Sequence, residues 1–192
     1  MSRTSGFPLA HTVTSSRTGV IAQGLWMAAF AAATALGARM EIPHQPVPYT
    51  LQTMIVLLSG AFLGPRNGAI SQLLYLAAGS IGLPVFAGGA WGFAQLLGPT
   101  GGYLLAFPVA AALVGYLVTL HRSLAWSFVS MGAGLFLIFA SGTAQLWAFY
   151  LHDWSQAFMS GFLLFTWWDL IKLSAAAMTY HEVAKRWRRL PA

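Results

Sequence analysis

Residues 20–38 and 124–150 contain no Asp, Glu, Lys or Arg, and each run is long enough to cross a bilayer as a helix. Such runs are read as membrane helices, which satisfy every backbone hydrogen bond internally. The rest of the chain excludes a water-soluble surface. Only 7% of its residues are charged, against about 25% in an average soluble domain. With 57% hydrophobic residues and a mean hydropathy of +0.66, the 192-residue chain is read as one compact all-α integral membrane protein. It has no cysteine, so disulfides, thiol catalysis and cysteine-ligated metal are excluded. The net charge of +6 comes from cations at helix ends, which fits topology and lipid headgroups. No basic stripe with aromatics is present, so nucleic acid is not an expected partner.

Residues 1–19 are polar and rich in Ser and Thr, with Arg3 and Arg17, and predict a disordered cytoplasmic tail. The apolar run behind them is too long for a secretory signal core. In the first span, 20–38, small residues recur four apart at Gly24, Ala28 and Ala32, with Ala29, Ala33 and Gly37 beside them. This spacing lets another helix approach closely. It serves packing inside the chain and docking to a separate membrane subunit equally well. Three prolines in 43–48 make a loop of the stretch 39–48. Spans over 49–63 and 69–81 follow, separated by a turn at Gly64-Pro65-Arg66-Asn67-Gly68. Residues 82–102 hold seven glycines and two prolines yet no charge. Irregular apolar backbone of this kind is tolerated where protein buries it or where it lines a cavity, so the stretch is read as a loop folded over a binding site. Residues 103–120 and 124–150 are the fourth and fifth spans, and 157–166 is a short helix or re-entrant piece. Counting back about 20 residues from the Lys185, Arg186, Arg188, Arg189 cluster starts the last helix near Trp167 or Trp168.

Six spans put both termini on one side. That side collects Arg3, Arg17, Arg66, Arg122 and the C-terminal cluster, while the other receives only Arg39. Both termini are therefore expected in the cytoplasm, which makes the loop between helices 3 and 4 an outer loop. Trp26, Trp126, Trp147, Trp154 and Trp187 lie near span ends as an aromatic belt. Phe86, Trp91 and Phe93, inside the glycine-rich loop, either cover a flat ligand or pack that loop.

Asp169 and Lys172 are the exception to this apolar pattern. Three residues apart on a helix, they share a face. Ionisable groups within membrane segments are rare and mark function by default. The pair either anchors a helix end or holds a polar ligand. Other chemistry is missing. His11, His44, His121, His152 and His181 show no metal-binding spacing, and the four carboxylates are scattered. Gly98-Pro-Thr-Gly-Gly102 lacks the Lys-Ser/Thr of a phosphate loop. No nucleophile elbow is present. An enzyme is not expected, nor a metal or cofactor.

Val47-Pro-Tyr-Thr-Leu-Gln-Thr53, Leu63-Gly-Pro-Arg-Asn-Gly-Ala69, Gln72-Leu-Leu-Tyr-Leu76, Gly82-Leu-Pro-Val-Phe-Ala-Gly-Gly89, Gly98-Pro-Thr-Gly-Gly-Tyr103 and Asp169-Leu-Ile-Lys172 together resemble the BioY family over most of residues 20–185. The resemblance implies the biotin-specific substrate-capture (S) component of an energy-coupling-factor transporter in the bacterial cytoplasmic membrane. It implies six helices in one domain, 20–189, and a biotin site near the outer face. It also implies docking to a membrane coupling (T) subunit and ATP-binding-cassette ATPases, for which Gly24, Ala28, Ala29, Ala32 and Ala33 form the expected surface. In the biotin site, Asp169 accepts a ureido N–H and Lys172 reaches the carbonyl or the carboxylate tail. Gln52, Gln72 and Tyr75 add polar contacts, while Phe86, Trp91 and the Gly88-Gly89 backbone close over the rings. One departure stands out: Trp167-Trp168 replaces the Pro-Gly usual before the aspartate. The alternatives are a solitary gradient-driven or facilitative biotin carrier, an S component for another small vitamin, and a membrane scaffold without ligand.

Overall fold

Glycine and proline set the breaks between helices in the first half of the chain. The computed structural model describes residues 14–163 and 166–186. Most of the expected tail (1–13), together with Trp187, Arg188 and Arg189, lies outside the described residues. Helix α1 (Thr14–Arg39) takes residues 14–19 into its first turns. The proline-rich stretch after it folds into a small ribbon, with β1 (Glu41–Ile42) antiparallel to β2 (Tyr49–Thr50), Glu41 opposite Thr50 and Ile42 opposite Tyr49.

Helix α2 (Gln52–Ser80) is two helices end to end. Gly64 sits at φ 80°, ψ 178°, and Pro65 follows it. Glycine reaches that left-handed φ without a Cβ penalty, and proline is tolerated at the first position of the second helix. The expected five-residue turn thus shrinks to one residue. The glycine-rich stretch keeps a turn of 3-10 helix at Ala87–Gly89 and the single-turn α3 (Ala94–Leu97) before α4 (Gly101–Leu117). Helix α5 (Leu124–Leu146) is capped by the Ser123 side chain, which accepts from the Trp126 amide. It runs on as a π-turn through Trp147–Leu151 and stops at His152, whose φ is 51°. Asp153 then caps the short α6 (Trp154–Gly161). Helix α7 (Thr166–Arg186) begins close to the expected position, which leaves Asp169 in its first turn.

Helices α2 and α4 approach at backbone contact. A Cβ at Gly60 would collide with the Ala111 carbonyl, and one at Gly115 would lie 2.6 Å from the Gly64 carbonyl carbon; between the two halves of α2, one at Gly68 would lie 2.8 Å from the Gly60 Cα. Small residues allow this approach where no solvent drives helices together. The distribution of polarity is that of a membrane protein. Large apolar side chains face outward on α1 (Leu25, Leu36), α4 (Val109), α5 (Val129, Phe136) and α7 (Ile171, Met178), while Thr34, Gln52, Ser59, Ser71, Gln72, Asp169 and Lys172 are buried. Two described helices, Gly19–Arg39 and Leu124–Leu151, are long and apolar enough to cross a bilayer; Gly101–Leu117 is shorter.

Candidate ligand-binding chamber

The first turns of α7 point Asp169 and Lys172 inward, at 2% and 7% exposure. A buried ion pair persists only where hydrogen bonds satisfy its remaining capacity. Lys172 Nζ meets that condition. It lies 2.6 Å from Asp169 Oδ1 and donates to the Thr50 carbonyl at 2.8 Å and to Thr53 Oγ1 at 3.0 Å. Three donors are all an ammonium has. Thr53 Oγ1 in turn lies 3.4 Å from Asp169 Oδ1. The pair therefore ties α7 to β2 and to the start of α2. Asp169 Oδ2 has no such partner; it is buried without a hydrogen bond.

Around the pair is a chamber of about 40 Å³. Its polar wall includes Thr50, Gln52, Thr53, Asp169 and Lys172; its apolar wall includes Phe86, Tyr103, Phe107 and Phe139. Gln52 is held from behind, its Nε2 donating to the Tyr75 hydroxyl at 2.5 Å and its Oε1 accepting from Thr50 Oγ1 at 3.0 Å. Tyr75 stacks edge-on against Phe86 with ring centroids 5.6 Å apart. Small-molecule pockets usually reach about 300 Å³ or more, so a ligand enters only if part of this wall moves outward.

Of the expected site residues, Asp169, Lys172, Gln52 and Phe86 line the chamber. Tyr75 stands behind Gln52. Gly88 and Gly89 form the turn after the wall residue Ala87, both with left-handed φ (64° and 74°). Trp91 points away, 64% exposed. Gln72 lies elsewhere: its amide bonds Thr34 and Ser59 between α1 and α2. Sequence reading did not assign Thr50, Thr53, Tyr103, Phe107 or Phe139 to the site. A hydroxyl next to Gln52 was the available signal for Thr53, and the Gly98–Tyr103 motif for Tyr103.

The small-residue strip on α1 divides. Gly37 packs inside, where a Cβ would lie 2.6 Å from Ile55. Ala28, Ala29 and Ala32 are exposed, Ala33 is half-buried, and a Cβ at Gly24 would meet nothing within 4 Å. A second, larger cleft of about 610 Å³ opens where α1 and α7 flank the α4–α5 connection, between Trp26, Phe30, Phe62 and Tyr180, with Arg122 and Lys185 at its edge.

The chain is similar to several known proteins. The BioY family model matches residues 3–189. The biotin transporter BioY of Thermotoga maritima is 44% identical over 149 residues, covering 78% of this chain and 88% of that protein. The probable biotin transporter BioY of Pyrococcus horikoshii is 39% identical over 152 residues, covering 79% and 90%. In three dimensions the chain resembles the crystal structure of the S-component for biotin from an ECF-type ABC transporter, with a TM-score of 0.81, 27% identity, and coverage of 88% of this chain and 94% of that one. Matched by the family model over nearly its whole length and by relatives of more than 30% identity, this chain belongs to the BioY family.

Proposed function

We infer that this chain captures biotin for uptake as the S component of an energy-coupling-factor transporter. It is a transporter component and not an enzyme. The observation that carries the reading is Asp169, a chamber-wall carboxylate whose Oδ2 is buried with its acceptor capacity unused. The ureido group of biotin presents N–H donors, and a charge-assisted bond to one of them contributes roughly 1.5–3 kcal/mol. In this arrangement Lys172 acts mainly on Asp169, since its three donors are already engaged; it fixes the carboxylate in place. To hold the ligand carbonyl as well, it must release Thr53. The aromatic wall of Phe86, Tyr103, Phe107 and Phe139 suits the fused rings.

The same reading has six spans, formed by α1, the two halves of α2, α4, α5 and α7, within one domain over 20–189. Both termini are cytoplasmic, the chain crosses the bacterial cytoplasmic membrane repeatedly, and the chamber faces outward. Arg66, Arg122, Lys185 and Arg186 support this orientation against Arg39 alone. No nucleotide-binding motif occurs in the sequence; on this reading energy comes from partner ATPases through a membrane T subunit. The outward-facing Gly24, Ala28, Ala29 and Ala32, with Ala33 beside them, offer that subunit a surface for close helix contact.

The test is thermal unfolding of the purified chain in detergent. Biotin should raise the midpoint, because a ligand stabilises the state it binds, while thiamine and riboflavin should not. A biotin shift that survives in the Asp169→Asn, Lys172→Met double variant would remove the proposed site.

A further inference from the structure

Two charged residues at the outer end of α1 grip the glycine-rich loop from outside. Arg39, the last residue of α1, donates from Nη2 to the Pro84 carbonyl at 2.6 Å. Glu41, the first residue of β1, accepts from the Gly88 amide at 2.7 Å through Oε2. The loop is built for this grip. Gly88 takes the left-handed conformation that turns its amide toward Glu41, and a Cβ on Gly89 would lie 2.9 Å from Arg39 Nη1. Between the two gripped groups lie Phe86 and Ala87, which form the chamber wall. Phe86 is 1% exposed and its ring sits where Gly79 leaves space.

The grip is also joined to the chamber floor. Glu41 pairs across the ribbon with Thr50, and the Thr50 carbonyl accepts from Lys172. A continuous set of contacts thus runs from Asp169 through Lys172, Thr50 and Glu41 to Gly88.

We propose that Arg39 and Glu41 are positioning residues that latch the Pro84–Gly89 strap over the chamber and so set how fast ligand enters and leaves. The proposal rests on the biotin-capture reading for its ligand. Neither residue needs to touch biotin. Each holds the segment that carries Phe86 and Ala87, and the strap is the wall that must move to enlarge the chamber.

The experiment uses the full chain in detergent, with two readouts. In stopped-flow binding of biotin, Arg39→Ala and Glu41→Ala should each raise the dissociation rate about tenfold, the effect of losing one charge-assisted hydrogen bond. Association should rise as well, which a merely misfolded site would not produce. Glu41→Gln, which keeps a neutral acceptor, should fall between wild type and Glu41→Ala. The second readout needs no ligand: amide hydrogen exchange across residues 86–90 should accelerate in both alanine variants, with exchange in α4 unchanged as the control for folding. Unchanged exchange at 86–90 together with unchanged rates overturns the latch. Failure of the unaltered chain to bind biotin overturns the capture reading instead, and the exchange comparison then decides the latch by itself.

Discussion

Helix α7 carries two ion pairs of the same spacing and nearly the same length, and they have opposite surroundings. Lys172 and Asp169 meet at 2.6 Å with side chains 8% and 3% exposed. Lys185 and Glu182 meet at 2.7 Å with side chains 55% and 64% exposed. Pair geometry therefore says little about role. At the N-terminal end of α7 water is excluded, each charge depends on the other, and threonine groups complete the hydrogen bonding. At its C-terminal end the pair lies on an open surface beside a wide cleft, where solvent and salt screen it. The buried pair is costly to separate and leaves one carboxylate oxygen without a hydrogen bond; the exposed pair contributes to a charged surface.

The sharpest way to break this contrast is to remove one member of the buried pair. Lys172→Met strands a carboxylate in the interior, and Asp169→Asn strands an ammonium. Each should destabilise the fold by about 3–5 kcal/mol, seen as a fall in the thermal midpoint in detergent, and each should lose biotin binding. The Asp169→Asn, Lys172→Met double variant should recover most of the stability and none of the binding. If the singles melt like wild type, burial does not distinguish the two pairs. A smaller effect is expected at Gly79, where any Cβ would collide with the Phe86 ring. Gly79→Ala should cost about 1–3 kcal/mol by overpacking and weaken biotin binding as Phe86 leaves the wall; titration calorimetry on the same preparation reads the second part. Thr53→Val removes a hydroxyl shared by both members of the buried pair. It should cost about 1–2 kcal/mol and weaken biotin about tenfold. At the bottom of the series, Glu182→Gln should leave melting and binding unchanged. Raising salt should move neither quantity in the wild type, since the pair that matters is shielded from ions.

The charged pair, the glycine-rich strap and the approximate helix starts were legible in the sequence because each breaks a pattern. Asp169 and Lys172 interrupt a stretch, 154–181, with no other Asp, Glu, Lys or Arg, and 82–102 cannot form a continuous helix. Apart from Phe86, the aromatic wall was not legible, because a membrane helix is apolar on its lipid face and on its chamber face alike. Phe136 and Phe139, less than one turn apart on α5, are 63% and 7% exposed. No feature of sequence separates them; only the position of α4 does. The two buried glutamines show the same limit. Gln52 lines the chamber while Gln72 serves a polar link between α1 and α2. In lipid, where helices do not associate by hydrophobic force, a buried polar side chain joins helices as readily as it binds a ligand.

The glycine seam between α2 and α4 has a consequence of its own. At Gly60 and Gly115 the α2 and α4 backbones, and at Gly68 the two halves of α2, leave no volume for even a methyl group without movement of main chain. A library covering every substitution should therefore show a second band of intolerance along these positions, as severe as the one at Asp169 and Lys172. Vitamin supplied in excess would not rescue it, since the lesion lies in assembly of the scaffold and not in affinity.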